Sequence, residues 1–360
     1  MTKAAAEKLW FFDRTELRDG DVILELSDTL SGWAISKIDK SPFSHALIWA
    51  GGNDFVEAVP GGVRNLGLQR VVVSNPARWL LLRHPDHAVG KRAAEAARRQ
   101  VGKHYDTLGA ARAKWTPRIN AHPSSRFCSQ LVADVYLQGG GGAIIAGKPP
   151  EAITPAELYS STHYFSQSAP KLIECSEDIS QLAQSLKKRS KAYKGSILQN
   201  EVKVGRLAFN HVKGMLGNLE AVKHPDIANP PGNLHELIDL LAVTPIMLGK
   251  PVADKLVINL KKNRYFNLAD APIAGVREQL IQTAVQVRID PDPERSKQLL
   301  AYVRQEADDW NDAARRSQKN ARATERYFQL TSLPLWDELQ KMYWRNYLSL
   351  KALSVLARDL

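Results

Sequence analysis

The chain has 360 residues, of which 44% are hydrophobic, 24% charged and 8% aromatic, with 22 Gly and 19 Pro; this ordinary globular composition excludes collagen, coiled coil and long disorder. At roughly 150 residues per domain the length suits about two cores. The formal net charge of +11 is spread along the chain, and neither a zinc-finger spacing nor an aromatic and basic RNA motif occurs, so nucleic acid is not expected as a partner.

Residues 1–14 hold Lys3, Glu7, Lys8, Asp13 and Arg14 and lack the apolar run of a secretory signal, which points to synthesis and folding in the cytoplasm. Short β-branched or aromatic runs at 21–26, 44–50, 55–59, 63–73 and 79–83 are separated by Gly, Asn or Pro and read as a small antiparallel sheet or half-barrel. Asp86 can cap a helix through Ala93, Ala94, Ala97 and Val101 that Gly102 stops, and a second helix is expected from near Phe127 to the glycines 139–142. Beyond residue 171 the pattern is helical: Ile179, Leu182 and Leu186, then Leu234, Leu237, Ile238 and Leu241, recur at three- and four-residue intervals, and helices are expected at 252–262, 276–287, 293–318 and 335–356. The longest apolar stretch, 237–248, is broken by Asp239 and Pro245 and falls short of the ~18 uncharged residues of a membrane span. The basic run Lys187, Lys188, Arg189, Lys191 and Lys194 reads as a solvated helix face, while leaving peripheral contact with an anionic membrane open. The expected fold class is α+β: a sheet-and-helix domain over residues 1–165 followed by an all-α domain over 171–360.

There are two cysteines, Cys128 and Cys175, too few for a disulfide framework. Cys128 stands where a loop with Pro123 and Ser125 gives way to a helical pattern. A thiol in a first helical turn faces the positive end of the helix dipole, which favours the nucleophilic thiolate. His45 lies on an apolar strand pattern, the chain turns at Gly51 and Gly52, and Glu57 follows 12 residues after His45. In a hairpin about those glycines the two side chains stand within a rung or two of each other. Cysteine catalysis needs this set: a base for the thiol proton and a third polar group that fixes the imidazole tautomer. Cys175, between Glu174 and Glu177, is expected to be an inert thiol. His84 and His87 are three apart with no Cys or further His nearby to complete a metal set and read as a surface turn, so no metal is expected.

The order and context of these residues resemble the permuted branch of the NlpC-type papain-like cysteine hydrolases, in particular YiiX-like proteins. The resemblance covers residues 17–161 and rests on Leu17-Arg18-Asp19-Gly20-Asp21-Val22-Ile23, Ser44-His45 with Glu57 shortly after, Gly102-Lys103-His104-Tyr105-Asp106, Cys128-Ser129, and Ile153-Thr154-Pro155-Ala156-Glu157-Leu158-Tyr159-Ser160. That His45 precedes Cys128 reverses papain's order and is the mark of the permutation. The resemblance implies Cys128 as nucleophile, His45 as general base and then acid, Glu57 as the orienting group, and Tyr105 as an oxyanion or substrate-binding residue; Asp21 is expected to support the fold.

The expected activity is that of a thiol-dependent hydrolase working through an acyl-enzyme, with no cofactor, on a peptide or isopeptide amide. Cell-wall peptide would be a natural target for an exported toxin, by a route that needs no signal. Two alternatives stand beside it: an acyl-lipid hydrolase or acyltransferase of phospholipase type on the same triad, and a non-catalytic binding module whose helical half is the functional part. Neither the natural substrate nor any partner or immunity protein can be read from the residues, and the helical half carries no expected role.

Overall fold

The computed structural model describes residues 8–26, 42–52, 54–59, 62–68, 71–105, 125–174, 197–218, 231–244, 246–268 and 291–359, with 274, 277, 278, 280–282, 285 and 287 between them. Cys175, the basic run at 187–194 and the periodic residues Ile179, Leu182 and Leu186 lie outside the described residues, as do 276, 279, 283, 284 and 286, while the described residues of the helix expected at 276–287 are helical. The chain divides into two compact units, Met1–Leu198 with Pro231–Glu236, and Gln199–Pro230 with Leu237–Leu360.

The first unit is built on strands β1 (Trp10–Phe12), β2 (Val22–Glu25), β3 (His45–Trp49), β4 (Asp54–Val59), β5 (Gly62–Gly67) and β6 (Trp79–Arg83). Helix α1 (His87–Gln100), strands β7 (His104–Tyr105) and β8 (Ser125–Arg126), helices α2 (Cys128–Gln138) and α3 (Pro155–Ser160), and strands β9 (Ser166–Ser168) and β10 (Leu172–Glu174) follow. Six strands form one sheet in the order β5-β4-β3-β2-β6-β9, with antiparallel pairing throughout. Side chains alternate across a strand, so Ile23, Leu47, Trp49, Phe55 and Leu81 share one face, where they pack with Phe12, Leu68, Val71 and Val73. Their alternates Val22, Leu24, Ala46, Ile48, Val56 and Ala58 are also buried, so the sheet is covered on both faces. Helices α1 and α2 pack against each other and against β3.

Three local devices set the frame. Asp86 accepts the Ala88 N–H at 2.8 Å and so caps α1, which ends as expected ahead of Gly102 at φ +96°. Gly20, at φ +92°, lets the turn before β2 press on α1, since a Cβ there would lie 2.4 Å from the Gly90 carbonyl oxygen. Asp21 is buried and takes the Arg83 guanidinium through Nε at 2.7 Å and Nη2 at 2.5 Å while accepting the Arg18 N–H at 2.8 Å; its part is to hold the fold.

A short stretch from far along the chain completes this unit. Asn233 donates through Nδ2 to the carbonyls of Arg99 (2.7 Å) and Val101 (3.1 Å), two of the acceptors that the end of α1 leaves open. Its Oδ1 accepts the Glu236 N–H at 2.8 Å, in the first turn of helix α5 below, so one side chain serves two helix ends. Glu236 in turn accepts the Gly232 N–H at 2.7 Å and pairs at 2.6 Å with Lys103, whose side chain is 1% exposed. Lys103 opens the segment into β7, and its carbonyl accepts the Val63 N–H of β5 at 2.8 Å.

The second unit contains α4 (Ile197–Val212, of which Ile197 and Leu198 belong to the first unit), most of α5 (Leu234–Val243), and α6 (Ile246–Lys262), α7 (Pro293–Thr331) and α8 (Pro334–Arg358). Val303, Ala307, Leu353 and Ala357 are buried together between α7 and α8. The helix expected at 293–318 runs on to Thr331, because Ala314, Ala321 and Thr324 continue its buried stripe past Gln318. The helix expected from 252 begins at Ile246 and passes through Pro251. The carbonyl that Pro251 leaves without a partner is that of Met247, which is 86% exposed and open to water. The strand expected at 63–73 stops at Gly67, and Val73 pairs instead with Trp10. Strands β1, β9 and β10 carry no sequence signal because each has three residues, too few to show an alternation. Among the described residues no helix is long and apolar enough to cross a membrane.

Candidate active site

Cys128 is the first residue of α2 and is 4% exposed. The residue ahead of it, Phe127, offers no side-chain acceptor to cap the helix, so the dipole end is not neutralised locally. The first turn is pinned instead by Ser129, whose hydroxyl donates to the Ile153 carbonyl at 2.8 Å. Ile153 leads into α3, which Thr154 and Glu157 cap reciprocally. At the far end of α2 the Tyr136 hydroxyl donates to the Gly20 carbonyl at 2.6 Å. The helix is therefore fixed at both ends against the turns that resemble family motifs.

His45 is the first residue of β3, and Glu57 lies opposite Leu47 on β4. Residues two apart on a strand share a face, so Glu57 is one diagonal step from His45, within the distance expected from the hairpin. The imidazole Nε2 lies 2.8 Å from Glu57 Oε2, with side-chain exposures of 17% and 5%. Cys128 is the other hydrogen-bonding partner of the ring. With Nε2 given to Glu57, Nδ1 is the nitrogen left to face the thiol. The structure thus brings Cys128, His45 and Glu57 together. Tyr105 enters through its backbone: β7 and β8 run parallel, with Tyr105 opposite Arg126, two residues before Cys128. His84 accepts the Asp86 N–H at 3.0 Å and its ring stacks edgewise on Tyr164, a local turn contact.

Electrostatics follow from burial and pairing. Burial presses the His45 imidazolium down, yet its hydrogen bonds and charge interactions with Cys128 and Glu57 outweigh that and lift it well above its ordinary range. Burial pushes the Glu57 carboxyl up, but His45 and then Arg64 carry it below its ordinary value. Glu57 is accordingly a carboxylate, and the Nε2–H donates to it.

Arg64 was not among the residues singled out from sequence. Its Nε and Nη2 donate to Glu57 Oε1 at 2.8 and 2.7 Å. The signal that could have found it is its place as the direct cross-strand partner of Glu57 in the β4–β5 ladder. That pairing is a matter of register between β4 and β5, which residue types alone do not assign.

A buried thiol at a helix start, an imidazole on a strand earlier in the chain and a carboxylate on the next strand define a papain-like arrangement in permuted order. In agreement, residues 16–144 match the family model of the permuted papain-like amidase enzymes, YaeF/YiiX, C92 family. The resemblance read from sequence is borne out over that segment. No curated protein and no solved structure matches the chain.

Proposed function

We propose that the first unit is a cysteine amidase in which Cys128 is the nucleophile, His45 the base and acid, and Glu57 the orienting carboxylate. The observation that carries this reading is the Glu57–His45 hydrogen bond of 2.8 Å on a ring that also bonds Cys128. A thiolate–imidazolium pair attacks the substrate carbonyl and forms a C–S bond. The imidazolium gives its proton to the departing amine as the C–N bond breaks, and water deprotonated by the neutral imidazole then releases the acyl group and restores the thiol. The Cys128 N–H at the start of α2 and the Tyr105 phenol are the proposed donors to the oxyanion. The substrate class is a peptide or isopeptide amide, favoured over an acyl ester by the amidase chemistry of the matched family.

Intact-mass measurement of wild type and Cys128→Ala after incubation with peptide, isopeptide, peptidoglycan-fragment and lipid acyl substrates tests the reading. A Cys128-dependent adduct with release of a new amine is the expected result. Turnover that survives Cys128→Ala refutes it, and an adduct with free alcohol released from lipid would replace the amide by an ester.

A further inference from the structure

The two oxygens of Glu57 are divided between two partners. Oε2 meets His45 Nε2 at 2.8 Å, while Oε1 receives both Nε and Nη2 of Arg64 at 2.8 and 2.7 Å. A guanidinium that gives two N–H groups to one oxygen occupies that oxygen from a set direction and leaves Oε2 to the imidazole, whereas a lysine ammonium is a point charge without that fork. The carboxylate is only 5% exposed, so water does little to hydrate it, and an unpaired buried charge is costly. Arg64 reaches it without strain as its cross-strand neighbour, and keeps its own side chain 36% exposed. Its partner is buried, so its consequence falls on the state and orientation of that carboxylate.

We propose that Arg64 is a positioning residue of this site: it holds Glu57 ionised with Oε2 turned to His45, and thereby sets the acidic edge of the pH range in which the Cys128–His45 pair exists. The proposal rests on the reading of Cys128, His45 and Glu57 as a triad and adds a fourth member that touches neither sulfur nor substrate. Among the described residues, the groups facing the pair are Cys128 and Glu57 on the imidazole, Arg64 on Glu57, and Glu25, the cross-strand partner of His45 on β2. Among the same residues, Arg64 is the cation bound to Glu57 besides the imidazolium. Without it Glu57 takes up a proton at higher pH, and the imidazolium then loses its acceptor.

The test needs no substrate. Alkylation of Cys128 by iodoacetamide is followed against pH in the full-length protein, with Cys128→Ala supplying the background from Cys175, alongside thermal melts of each variant. Arg64→Met is expected to move the acidic limb upward by about one pH unit, a tenfold change in proton affinity, without lowering the alkaline limb. Arg64→Lys, which keeps the charge and loses the two-point contact, is expected to leave the acidic limb near wild type and to slow the plateau several-fold. A melting temperature that falls while both limbs superimpose on wild type makes Arg64 merely structural and overturns the proposal. Should Arg64→Met fail to fold, an Arg64→Lys plateau equal to wild type overturns it as well. His45→Ala separates the two readings: if it leaves the profile unchanged the triad itself fails, whereas a flattened profile beside an unshifted Arg64→Met removes Arg64 alone.

Discussion

In the proposed reaction Cys128 acts through an imidazole that Glu57 holds at Nε2 and that also interacts with the thiol. Each member of such a set acts through the others, so single removals cost nearly as much as combined ones. Replacing His45 by Ala should lower kcat/KM by about 10²–10⁴-fold, the usual worth of a positioned acid–base group, and Glu57→Gln should cost less, since the ring keeps a hydrogen-bond partner; amine release from a peptide amide measures both. The same shifts bear on stability. The raised His45 contributes stabilisation that is full below its ordinary value of 6.5 and is lost as pH rises through its folded value. The lowered Glu57 contributes above its ordinary value of 4.5 and loses that contribution as pH falls through its folded value. Thermal melts across pH should show the alkaline decline starting earlier in Cys128→Ala, because the share of the His45 shift owed to the sulfur is gone; coincident alkaline limbs would contradict this.

At the scale of elements, the site is a meeting of strand ends and one helix start, and its precision comes from how those ends are tied. Gly20 is such a tie, with α1 so close that no Cβ fits and a φ that disfavours one. Gly20→Ala should therefore destabilise the first unit by at least about 1–3 kcal/mol from backbone strain alone, and a denaturant midpoint at or above wild type would show that the turn has room. The segment near 153–160, distant in sequence from Cys128, is tied to the start of α2 through Ser129 and Ile153. Its carbonyl fixes the turn that presents the thiol.

At the scale of the molecule, the first unit is not one continuous stretch. Pro231–Glu236 belongs to it, although α5 carries the chain onward from Glu236 into the second unit. Lys103 is buried against Glu236, and breaking a buried ion pair by removing one partner costs about 3–5 kcal/mol. Glu236→Ala should then destabilise the first unit by that order, whereas Lys250→Ala, at an exposed pair on α6, should change stability by less than about 1 kcal/mol. Chemical denaturation of the full chain, followed through alkylation of Cys128 as the first unit opens, distinguishes the two. A chain cut at residue 198 lacks Asn233 and Glu236 and should lose the same stabilisation, so activity measured on such a fragment would understate that of the whole protein.

The residue types alone determined the permuted order of histidine before cysteine, the strand–turn–strand that carries His45 and Glu57, the cap and stop of α1, and the start and stop of α2, because these are local matters of periodicity, turn chemistry and helix ends. They also determined the helical character of the described residues beyond 197 through its three- and four-residue apolar spacing. Only the tertiary structure decided which side chain stands behind Glu57, since the register that brings Arg64 opposite it is set by pairing across a turn. Only it decided that Asn233 and Glu236 complete the first unit, more than 100 residues after the α1 end that Asn233 caps and the Lys103 that Glu236 pairs. Contacts of that separation leave no local period in a sequence, and are fixed by the burial of Lys103 and the open carbonyls of α1, which have no partner until the chain returns.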